Sequence, residues 1–221
     1  SEGRSGAQLL ADAIAAARKV DAVVFIGGLN KGDHQDSEGA DRLQHGLPYA
    51  QDKVIEVLAG ANPNLAVVIV SGNAVAMPWI DRVPAVLEAW FSGSEAGNAL
   101  ADVLFGAVNP SGKLPFTFPV RLEDCSAHSA GEYPGEGQVV YRDGIFVGYR
   151  WIEKERIEPL FAFGHGLSYT TFDIANVRAD RTSLATTGRL RVSADVTNTG
   201  GRAGAEVVQL YIGDKLSSLP R

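Results

Sequence analysis

The chain has 221 residues, 45% of them hydrophobic, enough to fill the core of one large domain or one and a half ordinary ones. Its formal charge of −6, with acidic and basic residues interspersed, offers no basic stripe to neutralise phosphates; nucleic acid is disfavoured as a partner and a neutral substrate is suited. Cys125 stands alone and cannot form an internal disulfide, no Cys/His cluster has metal-ligand spacing, no cofactor is implied, and the apolar runs are too interrupted to span a membrane. The first residues lack a signal-peptide pattern, so a soluble chain is expected in the cytoplasm, the periplasm or outside the cell.

The first two-thirds of the chain alternate amphipathic helical patterns with short apolar runs. Strands buried on both faces of a mainly parallel sheet read this way, which predicts an α/β layered domain over 1–120. Leu10, Ile14 and Ala17 make one helical face, and a strand follows at Ala22 to Gly27. After a long polar loop, Pro48 suits the first turn of a helix whose stripe is Val54, Val57, Leu58 and Ala61, and strand Leu65 to Ser71 follows. A third unit gives a strand at Ala85 to Phe91 and an N-cap at Ser94. Glu95 falls in a first helical turn, where the macrodipole favours a carboxylate, and Ala96, Ala99, Leu100, Val103 and Leu104 form the buried face.

From Asn109 the pattern turns irregular, and its large apolar side chains indicate a connector packed on the domain, set at 121–171, and not a flexible linker. Beyond Phe172 the period changes to two. Leu190, Val192, Ala194 and Val196 alternate with polar residues, Thr199 to Gly201 supply a turn, and Val207 to Ile212 reads as another strand. An all-β sandwich is expected to begin over 172–221, short of the roughly 100 residues and seven strands of an immunoglobulin-like unit. Ser1 and Arg221 are therefore both expected to lie inside domains, with unpaired or exposed apolar edges at each end.

The polar stretch GLNKGDHQDSEGADRLQHGLP exceeds the usual two to about six residues of a strand-to-helix loop. It leaves the carboxyl end of a strand, where parallel sheets open their ligand crevices. Asp33, His34, Asp36, Glu38, Asp41 and Arg42 all lie in it. Several of these groups suit proton transfer, a solvated loop held by local turn bonds would look the same, and spacing does not choose between the two.

SEGADR at Ser37 to Arg42, followed by Leu47, Pro48 and Gln51, resembles the acid/base loop of family 3 glycoside hydrolases. GSEAGNALADVLFGAVNPSGKLPFTFP from Gly93 to Pro119, GIFVGYRW from Gly144 to Trp151 and EPLFAFGHGLSYTTF from Glu158 to Phe172 are similar to that family's pattern as well. The resemblance covers nearly the whole chain. It implies an (α/β)6 sandwich domain lacking its N-terminal part, then the start of a fibronectin type III-like sandwich. It also implies a retaining β-glycosidase of the β-glucosidase type acting on terminal β-linked glycosyl residues of oligosaccharides or glycosides. Glu38 would be the acid/base, and a preceding (β/α)8 barrel, absent from this chain, would supply the nucleophilic aspartate.

On that reading His34 and Asp36 are candidate substrate contacts on the leaving-group side, while Asp41 and Arg42 shape the loop and could pair within it. His165 belongs to a structural segment, and Trp79, Trp90 and Trp151 sit in apolar runs that favour core packing over sugar stacking. Two alternatives remain at this stage. One is a non-catalytic carbohydrate-binding or scaffold fragment of the same family; the other is a nucleotide-binding domain, for which IGGLNKGDHQ has neither GxGxxG nor P-loop spacing. A β-xylosidase or another glycone specificity fits the motifs equally, since the residues choosing the glycone would lie mostly in the barrel.

Overall fold

The computed structural model describes residues 3–135, 137–185 and 187–212. Helix α1 (Gly6–Ala17) starts at a reciprocal cap: Gln8 N donates to Ser5 Oγ at 3.3 Å, and Ser5 N donates to Gln8 Oε1 at 2.8 Å. Its far end is closed by a distant side chain. Buried Asn62 donates from Nδ2 to Ala17 O (2.8 Å) and Val20 O (2.9 Å) and accepts from Asn64 N (2.9 Å). Those bonds satisfy carbonyls that a helix end leaves open and tie α1 to the end of α2 (Gln51–Ala61).

Strands β1 (Val23–Gly28), β2 (Leu65–Val70) and β3 (Ala85–Glu88) form a parallel sheet in that order, Val23 opposite Leu65 and Ala66 opposite Ala85. β-Branched residues dominate the central strand, as a pleated surface buried on both sides favours. Leu65, Val67 and Ile69 face a core completed by Ala17, Ile55, Leu58, Trp79, Val83 and Phe118, all under one tenth exposed. Each fully buried side chain of this size contributes about 1.5–3 kcal/mol. The crossover from β2 to β3 contains a single 3-10 turn, Ile80–Arg82, with Trp79 packed wholly inside.

Burial on both faces, expected for every strand, holds at β2 and fails at β1. Val24 is 48% and Ile26 58% exposed, because no described element covers that side of the edge strand. Helix α2 starts at Gln51, three residues after Pro48, since Tyr49 (φ 59°) and Ala50 (φ 57°) adopt left-handed backbone. Strand β3 stops at Glu88. Beyond it Trp90 turns to φ 53° and its ring packs against Phe116 (5.7 Å) and Phe118 (6.3 Å). Ser94 does not cap α3 (Ala96–Leu104); Glu95 occupies that position, and its carboxylate accepts from Asn98 Nδ2 at 2.6 Å.

The connector lies against the α/β unit through backbone bonds: Leu114 N to His165 O (2.8 Å), Gly164 N to Leu114 O (2.8 Å) and Phe118 N to Phe161 O (2.8 Å). Phe161 extends the aromatic cluster, edge-on to Phe118 at 6.3 Å, and carries the stacked His165 ring at 4.9 Å. Two short helices, α4 (Ser126–Ser129) and α5 (Tyr149–Glu155), belong to this region, and Trp151 Nε1 donates to Asp124 O at 3.1 Å. Core packing thus accounts for Trp79 and Trp90, and a backbone bond for Trp151.

The all-β part opens with β4 (Phe172–Ala179) and β5 (Val192–Asn198), antiparallel with Phe172 opposite Asn198 and a bulge between Ala175 and Arg178. The turn after β5 forms, with Thr199 N donating to Thr171 O (2.8 Å) and Gly200 N to Asn198 Oδ1 (3.1 Å). Val207 to Ile212 is not a strand. A Lys113–Glu206 ion pair at 2.8 Å and the Tyr149–Tyr211 ring contact at 6.1 Å tie this part of the chain to the end of the α/β unit and to α5. The expectations for Ser1 and Arg221 fall outside the described residues.

Candidate active-site loop

The segment between β1 and α2 leaves the carboxyl end of the sheet and is closed at its base by one side chain. Gln51 Oε1 accepts from Gly28 N at 2.7 Å, while its Nε2 donates to Gly28 O at 2.9 Å and Pro48 O at 3.0 Å. Gly28 has φ 139°, and a Cβ there would collide with the Val70 carbonyl, so glycine is required where loop and strand meet. Leu29 N donates to Val70 O at 2.8 Å, extending the β1–β2 contact by one residue.

Asp36 is the loop's second anchor. Its Oδ2 accepts from Gly72 N at 2.6 Å and its Oδ1 from Asn73 Nδ2, so both oxygens grip the turn that follows β2. Immediately after it, Ser37 forms an isolated antiparallel bridge with Ala40, and Gly39 at φ 83° makes the reversal between them. Glu38 stands at the tip of that reversal. It is exposed, and among the described residues no hydrogen bond or ion pair engages its carboxylate.

The flanking residues divide between outward and inward roles. His34, at φ 60°, donates from Nδ1 to Asp41 O at 3.0 Å and is otherwise exposed. The Asp41 carboxylate accepts from the Tyr133 hydroxyl of the connector, which pushes the Tyr133 phenol above its usual value. Arg42 turns inward, donating from Nη2 to Ala74 O at 2.6 Å and contacting His45 Nδ1 at 3.3 Å. The expected pairing of Asp41 with Arg42 is therefore replaced: consecutive side chains diverge, one to the connector and one beneath the loop. Burial lowers the Arg42 pKa, with Asp36 opposing, and among the described residues its buried Nη1 has no partner.

His45 completes the floor. Accepting from Arg42 at Nδ1 requires the neutral ring with its proton on Nε2, and that atom donates to Pro119 O at 3.3 Å. Burial holds its pKa below the ordinary imidazole value, ahead of the opposing bond to Pro119. At the loop's end Leu47 N donates to Asp52 Oδ2 (3.1 Å), and Asp52 Oδ1 accepts from Trp79 Nε1 (2.8 Å).

Of the residues singled out by sequence, the structure gathers Asp36, Arg42 and the loop base into one anchored unit and leaves Glu38 at its tip. Asp33 is exposed. The partners Asn73, Tyr133 and Pro119 come from elsewhere in the chain and carry no local signal. Among the described residues no cluster of His, Cys, Asp and Glu is placed to hold a metal ion, and no helix is long and apolar enough to cross a membrane.

Residues 4–169 match the profile of the glycosyl hydrolase family 3 C-terminal domain. The chain belongs to that family. It is 51% identical over 213 residues to the beta-glucosidase BoGH3A of Bacteroides ovatus, covering 95% of this chain and 28% of that protein. To the thermostable beta-glucosidase B of Acetivibrio thermocellus it is 46% identical, covering 97% of this chain and 28% of that protein. Among solved structures, DesR, a beta-glucosidase from Streptomyces venezuelae in complex with D-glucose, superposes with a TM-score of 0.82 at 42% identity. That match covers 90% of this chain and 25% of DesR. The family 3 chain described here thus spans little more than a quarter of the length of its curated relatives, and its α/β unit followed by the start of a β-sandwich is the fold that relationship carries.

Proposed function

We propose that this chain is the acid/base-bearing part of a retaining β-glucosidase-type enzyme and that Glu38 is the acid/base. The observation that carries the reading is the contrast along one loop: Asp36, Asp41 and Arg42 are each tied down, whereas Glu38 is held out on a bridged tip with no partner for its carboxylate among the described residues. A carboxyl that must first donate a proton to a leaving oxygen and then take one from water has to be positioned by its backbone and left unengaged by its neighbours.

Retention requires a second carboxylate about 5–5.5 Å away, acting as nucleophile on the glycosyl carbon. We assign it to an aspartate of a preceding (β/α)8 barrel, the length missing relative to the beta-glucosidases leaving ample room for such a domain. An exposed tip suits a group that works across a domain interface. Asp36, Asp41 and Arg42 act by positioning, and the exposed His34, held through Nδ1 on Asp41 O, is the loop's candidate for contact with the leaving group. The substrates are terminal β-linked glycosyl residues.

The test is Glu38→Ala in a full-length polypeptide carrying this chain. Loss of the acid should slow cleavage of unactivated disaccharides by about 10²–10⁴-fold, the usual worth of general acid–base catalysis. An activated aryl glycoside should instead give a fast burst, slow turnover and a low KM, because the covalent intermediate accumulates. Azide should restore turnover and yield a glycosyl azide of retained configuration. Near wild-type cleavage of disaccharides, or azide rescue of Asp36→Ala in place of Glu38→Ala, would remove Glu38 from the role.

A further inference from the structure

Glu88 ends β3 at the same carboxyl end of the sheet as the candidate loop, and the reading above gives it no part. Its Oε1 lies 3.2 Å from Ser71 Oγ and accepts from Trp90 N at 3.1 Å; its Oε2 is buried and, among the described residues, has no partner. Ser71, itself fully buried, also reaches Asn73 O at 2.8 Å. Gly72 and Asn73, the two residues that follow Ser71, are the ones Asp36 grips. The chain of contacts Glu88, Ser71, turn, Asp36 thus ends two residues from Glu38.

We propose that Glu88 is a positioning residue for the Glu38 loop: its carboxyl, through Ser71, sets the turn Ser71–Asn73 on which Asp36 anchors that loop. The inference rests on the assignment of Glu38. Proton counting supports it. Ser71 has one hydroxyl proton and two acceptors within reach, and a proton on Glu88 removes the deficit by letting the acid donate to Ser71 Oγ while Ser71 donates to Asn73 O. Ionised, Glu88 would bury a full charge whose Oε2 has no donor among the described residues, and set a second negative charge near Asp36. Burial accordingly raises its pKa to about 7, with the Trp90 and Ser71 bonds opposing.

The facing groups are few. Asp36 is the charged group on the loop side; Lys31 of the same loop sits 4.1 Å over the Phe91 ring just beyond β3; Arg42 acts on Asp36 from below; and β2 and its turn present the Ser71 hydroxyl. The sign follows: a raised carboxyl pKa makes the anchorage complete in mild acid and weakens it as pH rises through about 7.

Hydrogen exchange of the Gly72 amide in the full-length polypeptide reads this without using Glu38 or any substrate. Corrected for the intrinsic rate, wild-type protection should fall roughly tenfold between mildly acidic and mildly alkaline pH. Glu88→Gln, uncharged at every pH and still able to accept from Trp90, should show protection that does not change with pH; Glu88→Ala should lack it throughout and turn over disaccharides with lower kcat at little-changed KM, the Gln variant retaining more of kcat. The same pH dependence in wild type and Glu88→Gln overturns the proposal, and that comparison stands even where Glu88→Ala fails to fold. If the exchange pattern holds and Glu38→Ala behaves as wild type, the acid/base assignment fails and the latch survives. If azide rescues Glu38→Ala but exchange ignores Glu88, the latch alone fails.

Discussion

Asp52 joins three parts of the chain: it sits in the first turn of α2, accepts the backbone N–H of Leu47 at the loop's end, and accepts the indole N–H of Trp79 in the β2–β3 crossover. Replacing it with alanine removes two hydrogen bonds to a charged acceptor, each contributing about 1.5–3 kcal/mol, and strands the Trp79 donor. Trp79 is 0% exposed, so water cannot reach its ring without opening the core, whereas the part-exposed Asp52 position lets water replace some of the Leu47 bond. Taking the indole bond nearly whole and the other at half gives a loss of about 3 kcal/mol, or a fall in Tm of about 6–12 °C for a chain of this size. Asp52→Asn retains one neutral acceptor and should lose only about 1 kcal/mol. Urea unfolding of Asp52→Ala, Trp79→Phe and the double variant closes a cycle whose expected coupling is about 1–2 kcal/mol. Additivity within about 0.3 kcal/mol would show that the indole contact contributes nothing, and the reasoning from burial would be refuted.

Ile55→Ala, at a fully buried position of α2, should cost about 2–5 kcal/mol in urea unfolding, while the same change at the half-exposed Ile26 of β1 should cost under about half of that. The His45 imidazole, held neutral by burial, should make stability fall with acid: the unfolded chain takes up its proton first, so the contribution is full above about pH 6.5 and is lost as pH drops below it. His45→Gln should flatten that slope in urea midpoints measured between pH 7.5 and pH 5.5 (both about one unit from the unfolded value). Asp41→Asn, by removing the charged partner of the Tyr133 hydroxyl, should bring the Tyr133 titration, followed by absorbance, back down toward an ordinary phenol.

The sheet was readable because its strands are runs of Val, Ile and Leu between helical stripes, and the loop because it is too long and too polar for a plain connection. Strand ends were harder. Tyr49, Ala50 and Trp90 adopt left-handed backbone that their side chains do not favour, and the Phe116 and Phe118 rings that hold Trp90 are distant in sequence. Val207 to Ile212 has a strand's pattern, yet a long-range ion pair and ring contact tie this part of the chain to the end of the α/β unit and to α5. Within the loop, the resemblance singled out Glu38, but nothing in SEGADR announces that Asp41 and Arg42 part company, since Tyr133 and Ala74 are remote partners. Glu88 was hidden for the same reason: an acid at the end of an apolar strand reads as a surface residue until its neighbours are known.

Gln51 grips Gly28 and Pro48 together, so the two ends of the loop are spliced where it leaves the scaffold. Between those ends the loop is fastened again, by Asp36 to the turn after β2 and by Arg42 to Ala74 O. Lengthening a stretch already joined at its ends adds only the slowly growing closure entropy, about 0.6 kcal/mol per doubling. An insertion at the Ser37–Ala40 tip that leaves Asp36 and Arg42 on their partners therefore leaves the register of the strands unchanged.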